Sequence, residues 1–198
     1  MSPRTPAARQ WSRADKAYRT AREFLKLADA HFKKLPNDKS WDPDREKNKS
    51  AELVAAATCL AFAVELHLKT VLMLLDVDRA RWGKTHDLLR LFRVIPVDYQ
   101  EAIGRNYREL LEPLPPVYQA VLVIADGRPG PAEIAKLTEA ITVETAIEAV
   151  LKAESDSFRT WRYVYELGEP PTSVTVRFHA LYSIAKAIDA LLVRRSAA

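Results

Sequence analysis

The stretch that decides the fold runs from Ala51 to Leu75, AELVAAATCLAFAVELHLKTVLMLL. It is apolar nearly all the way round a helical axis, and Glu65, His67 and Lys69 interrupt it in its second half. A helix of this kind has to be covered on several sides by neighbours. Its small residues, Ala55 to Ala57, Ala61 and Ala63, let those neighbours approach closely. The stretch is long enough to span a membrane. Charged groups crowded into one half of it would be costly in lipid, so it reads as the central helix of a bundle with no membrane contact. The expected compartment is the cytoplasm.

Working outward, the rest of the chain supplies the cover. Tyr18, Phe24, Leu27 and Phe32 recur at helical spacing, which predicts a first helix over 13–35 behind a short disordered lead, 1–12. The polar segment 36–49 reads as an exposed loop, with Ser50 as the N-cap of the central helix. Asp76 to Gly83 breaks the pattern. Thr85 is placed to cap a third helix, with Asp87 in its first turn and Leu88, Leu89, Leu91 and Phe92 facing inward. Tyr99 to Leu111 can continue as helix, and a Pro-rich insertion follows around 112–131. Within it Val117 to Ala125 suits either a short strand or a short helix, and helix with loop is the preferred reading. A long helix is expected from Thr142 to about Glu166, stopped by Gly168 and Pro170-Pro171, and a last one from Ser173 to Arg195. The expectation is therefore an all-α protein: one up-and-down bundle of five or six helices over 13–195.

Composition agrees. The 198 residues suffice for one domain, and 48% apolar content can fill a core. Five glycines are too few for a strand-and-turn protein or a Gly-rich phosphate loop. A net charge of +4 and a pI near 9.2 hint only mildly at an anionic partner. Cys59 is the single cysteine, so no internal disulfide forms, and a buried inert thiol is expected there. No Cys/His group has metal-ligand spacing, and no cofactor is expected.

Three places bear on chemistry. Glu65 and Lys69 lie one helical turn apart in the favourable order, which suggests a partly buried ion pair fixing helix register. His67 points elsewhere and reads as a satisfied or surface histidine. Glu154 interrupts the inner stripe of the fifth helix, and a carboxylate there needs a partner; Lys69, His86 or an arginine can serve. We expect Glu65, Lys69, His86 and Glu154 to fall close together, mainly for structural reasons. Arg159 and Arg162 flank Trp161 and Tyr163, a cationic and aromatic mixture able to hold single-stranded nucleic acid.

The segment Glu65-Leu66-His67-Leu68-Lys69, followed by Thr85-His86-Asp87-Leu88-Leu89, resembles the HEPN superfamily. In that family a Glu-Leu-x-Leu-Lys helix precedes a (Gly/Thr)-His-Asp-Leu helix start. The run Phe158-Arg159-Thr160-Trp161-Arg162-Tyr163-Val164-Tyr165-Glu166 is similar to the aromatic-basic helix of one bacterial branch. The resemblance covers about Ser50 to Glu166. It implies an all-α bundle, commonly a homodimer. Many members are metal-independent ribonucleases of toxin–antitoxin or other defence systems, and others lack activity. Possession of an antitoxin or a nucleotidyltransferase-like partner would follow from the same likeness.

Catalytic members carry Arg, four to six residues, then His. Here Arg81 stands four residues before His86, and Arg79 six. Such an Arg would hold the scissile phosphate, and a His with an ordinary pKa near ~6.5 would move the proton. The spacing arises readily by chance, and His86 sits in the segment that is usually structural in the family. The family's more usual Arg-Asn-x-x-x-His is missing, because Arg105-Asn106 is followed by Tyr107 with no histidine in range. The leading expectation is thus a HEPN-like module acting by RNA or protein binding in a defence or stress system, with a largely buried His86. Lys84, Arg159, Arg162 and Tyr163 are its candidate RNA contacts. The alternatives are a metal-independent ribonuclease toxin using Arg81 (or Arg79) and His86, and a purely structural scaffold.

Overall fold

A computed structural model describes residues 6–33, 43–111, 146–155 and 177–196. All regular structure among them is helical: α1 (Pro6–Lys33), α2 (Pro43–Leu74), a single 3-10 turn (Arg79–Arg81), α3 (Leu88–Val94), α4 (Val97–Leu111), α5 (Ile147–Ala153) and α6 (Phe178–Ser196). The protein is an all-α helical bundle.

The chain's apolar stretch is the centre of it. Leu60, Ala61, Ala63, Val64, Leu68 and Leu72 of α2 are fully buried. α2 packs along α1, α3 and α6, while α4 packs on α6 and α5 bridges α3 and α6. The segment Val54–Leu74 has the length and hydropathy of a membrane span, and most of it is buried inside the bundle, so packing accounts for its apolarity. α1 and α2 run antiparallel. Pairing of His31 with Glu52, Phe24 with Phe62 (ring centroids 4.5 Å apart) and Tyr18 with His67 follows in descending and ascending order along the two helices. α1 buries Ala14, Ala21 and Ala28, seven residues apart, beside Leu25. α2 buries Ala56, Ala57, Ala61 and Ala63. Small side chains on both helices allow close approach of their backbones.

Helix ends differ from the sequence expectations in four places. α1 starts at Pro6, inside the segment read as a disordered lead. α2 starts at Pro43, so Ser50 lies within the helix and is not its cap. In both, proline occupies the first helical position, where its missing N–H costs nothing. Thr85 does not cap α3 either. Asp87 does, accepting from the Arg90 N–H at 2.9 Å, while the Thr85 hydroxyl accepts from the Asp87 N–H at 3.2 Å. Finally, α5 stops at Ala153 instead of continuing to Glu166. Glu154 leaves helical geometry at ψ 16°, and the Ser155 carbonyl accepts from the Leu88 N–H at the start of α3. The stripe expected on α1 is also displaced, since Leu27 is exposed. Val117 to Ala125, the Pro-rich insertion and 156–166 lie outside the described residues.

Between α2 and α3 the chain follows a closed path. Asp76 takes the left-handed conformation, φ 54°, that ends helices. The Val77 N–H reaches the Leu72 carbonyl at 3.0 Å and the Asp76 N–H the Met73 carbonyl at 3.2 Å, the paired bonds of a Schellman motif. Trp82 is buried in the core and its indole N–H donates to the Val77 carbonyl at 3.0 Å.

Candidate functional site

Glu65 points from α2 toward this connection. Its side chain is only 2% exposed, a costly place for a carboxylate without partners. It has two. The Lys69 ammonium donates to Oε1 at 2.7 Å, and His86 Nδ1 lies 3.0 Å from both Oε1 and Oε2. Lys69 reaches it because i,i+4 residues share a helical face. His86 reaches it because Trp82 and the Asp87 cap fix the two flanks of the connection.

The outcome for His86 differs from the sequence expectation. It is not buried: 57% of its side chain is exposed, with one ring edge anchored on a buried carboxylate. A histidine needed only for packing would be covered. Arg79, Arg81 and Lys84 precede it on the same connection and are all exposed. None of these three makes an ion pair among the described residues. The Arg79 side chain folds over Gly83, whose N–H donates to the Arg79 carbonyl at 2.8 Å. A Cβ on Gly83 would lie 2.8 Å from both the Arg79 Cγ and its carbonyl oxygen, so only glycine fits there.

Glu154 is buried, and Arg177 is one of its partners. Its Oε1 accepts from the Arg177 N–H at 3.2 Å and lies 3.6 Å from the Arg177 guanidinium. Glu154 therefore ties α5 to the start of α6. Arg159, Arg162 and Tyr163 lie outside the described residues. Arg105 is exposed on α4, 4.0 Å from Glu101, at the rim of a 480 Å³ concavity that also takes in Arg108 and Ile147. Cys59 is half-buried, and burial pushes its thiol above the ordinary value.

A second polar group was not anticipated. His67 is completely buried, which removes the surface alternative, and neither ring nitrogen has a hydrogen-bond partner among the described residues. Its Nε2 lies 3.8 Å from Asp189 Oδ1 of α6. The Tyr18 hydroxyl donates to the same oxygen at 2.8 Å, and Arg22 Nε stands 3.5 Å from it. The His67 imidazole, and then Tyr18 and Arg22, hold the Asp189 carboxyl below its ordinary value against the opposing effect of burial. Burial first, and the Asp189 acceptor next, push the Tyr18 phenol up to about 12. This group joins α1, α2 and α6 at mid-bundle. The available signal was Asp189 itself, a carboxylate set in the apolar run Ala187-Ile188-Asp189-Ala190-Leu191-Leu192. Tyr18 lies 171 residues away, and no local pattern names it.

Among the described residues no three His, Cys, Asp or Glu side chains are grouped to hold a metal ion. Comparison of the chain with known protein families, with curated proteins and with solved structures gave no match. The likeness to HEPN proteins accordingly rests on the quoted residues alone.

Proposed function

We propose that this chain is an RNA-binding module of HEPN type, working in the cytoplasm in a defence or stress system, with the α2–α3 connection as its contact surface. One observation carries the reading: Arg79, Arg81, Lys84 and His86 are all exposed within eight residues of a connection held by buried anchors. Arg79, Arg81 and Lys84 make no ion pair among the described residues, and such cations are available to phosphates. Of the acidic neighbours Asp76, Asp78 and Asp87, the last two accept from the Ala80 and Arg90 N–H groups. A fluorescently labelled single-stranded RNA should bind the wild-type protein. The Arg79→Glu/Arg81→Glu/Lys84→Glu variant should bind it about tenfold more weakly or worse, because three attractive contacts become repulsive. All three positions are exposed, so thermal melting should be unchanged. Equal affinity of the two proteins would end this reading.

A second reading, the ribonuclease, draws on one specific feature. His86 is exposed while its Nδ1 faces the buried Glu65 carboxylate, an arrangement that fixes an imidazole's orientation and tautomer for proton transfer. Arg81 or Arg79 on the same connection would hold the phosphate. On this reading the purified protein cuts RNA in EDTA, and a folded His86→Ala variant does not. On the binding reading wild type leaves RNA intact under those conditions, and we expect that result.

A further inference from the structure

We infer that the concavity between α4 and the start of α5 binds a small organic anion, with an apolar body and a single carboxylate or phosphate head. The inference is independent of the RNA-binding reading. The space measures 480 Å³, within the range of about 300–1,000 Å³ that small-molecule sites occupy. Its lining is mostly apolar, with Tyr107 of α4 and Ala146 and Ile147 at the start of α5 among its walls. On α4, Glu101, Gly104, Arg105 and Arg108 stand three or four residues apart and share one helical face.

Gly104 gives the space its depth. It lies in the interior of α4, where glycine weakens a helix relative to alanine. Close packing does not call for it. Among the described residues, a Cβ at this position would meet no heavy atom within 4 Å, whereas at Gly83 it would collide. What the missing side chain leaves at Gly104 is open room in the wall of the concavity.

Charge selects the head group. Arg105 and Arg108 are exposed and bring two guanidinium groups to the space against the one carboxylate of Glu101. Glu101 stands 4.0 Å from Arg105 in an exposed i,i+4 pair, a kind of contact worth little in water. Arg108 donates Nε to the Gly104 carbonyl at 3.4 Å, which sets its guanidinium beside the glycine, and it makes no ion pair among the described residues. The planar fork of a guanidinium matches the paired oxygens of a carboxylate or phosphate. A bare inorganic anion would leave the apolar walls wet, and a neutral apolar compound would leave the arginines unused. An apolar anion satisfies both.

Two fluorescent probes test this on the full chain. One is 8-anilinonaphthalene-1-sulfonate, an apolar-bodied anion. The other is N-phenyl-1-naphthylamine, the same rings without the sulfonate. We expect saturable binding of the anion, and binding of the neutral probe about tenfold weaker. Both 4-phenylbutyrate and phenyl phosphate should displace the anion, and the stronger competitor identifies the preferred head. Gly104→Leu places a side chain in the open room, so it should weaken the anion about tenfold or more without lowering the melting temperature. Arg105→Gln/Arg108→Gln should weaken the anion about tenfold and leave the neutral probe within about twofold. Failure of the anion to saturate, or its displacement by neither competitor, would overturn the inference. So would equal affinity for the anion in wild type and a folded Gly104→Leu protein. The arginine variant is changed only at exposed positions and keeps the test open should Gly104→Leu not fold: unchanged anion affinity, or equal loss of both probes, would also overturn it.

Discussion

Leu68→Ala should destabilise this protein by about 2–5 kcal/mol, and Leu60→Ala by a similar amount. Both side chains are fully buried in α2, the helix with neighbours on most of its circumference. Deleting either removes the transfer free energy of the lost carbons and leaves a cavity that surrounding side chains only partly fill. The natural control is Leu27, which sits 48% exposed on α1, so Leu27→Ala should change stability by less than about 1 kcal/mol. Chemical denaturation of the three variants measures this. Leu68→Ala and Leu27→Ala unfolding at the same denaturant concentration would contradict a core centred on α2.

Glu65→Ala should be the most damaging polar change, at about 3 kcal/mol. The carboxylate is almost wholly enclosed, and its removal strands the Lys69 ammonium, itself only 13% exposed, beside apolar neighbours. An uncompensated buried charge costs more than the intact pair contributes. It follows that Glu65→Leu/Lys69→Met, which removes both charges at similar volume, should recover much of the loss made by Glu65→Ala. Glu65→Gln, which keeps an acceptor for Lys69, should fall between. Denaturation curves for the set decide this. A Glu65→Ala protein as stable as wild type would mean that Glu65 is not the anchor of Lys69 and His86. The same substitution should free the His86 ring, a separate effect visible in the imidazole resonances.

The fold was legible because one segment was unusual. An apolar surface on every side of Ala51 to Leu75 admits few explanations other than burial among helices, and that carries the all-α bundle. The helix starts were less legible. Pro6 and Pro43 begin helices whose first turns are polar, and composition alone reads polar turns as loop. Asp87 and Thr85 compete for one cap, and the choice depends on where the Trp82 indole holds the preceding chain. In the candidate site, Glu65 and Lys69 were visible through i,i+4 spacing, and His86 through its segment. The exposure of His86 was not, since it depends on how the connection sits on α2. Glu154 was visible as a carboxylate needing a partner, but Arg177 lies 23 residues on. The Tyr18–His67–Asp189 group was out of reach for the same reason, because contacts between distant helices leave no periodic trace.

The central functional claim is that RNA lies across the α2–α3 connection. Hydrogen exchange of the backbone amides, followed with and without single-stranded oligo(U), tests it most directly. Protection should rise over 79–86 and leave the outer faces of α1 and α4 unchanged. Protection confined to other helices, or no change over 79–86 at RNA concentrations that saturate binding, would contradict the account.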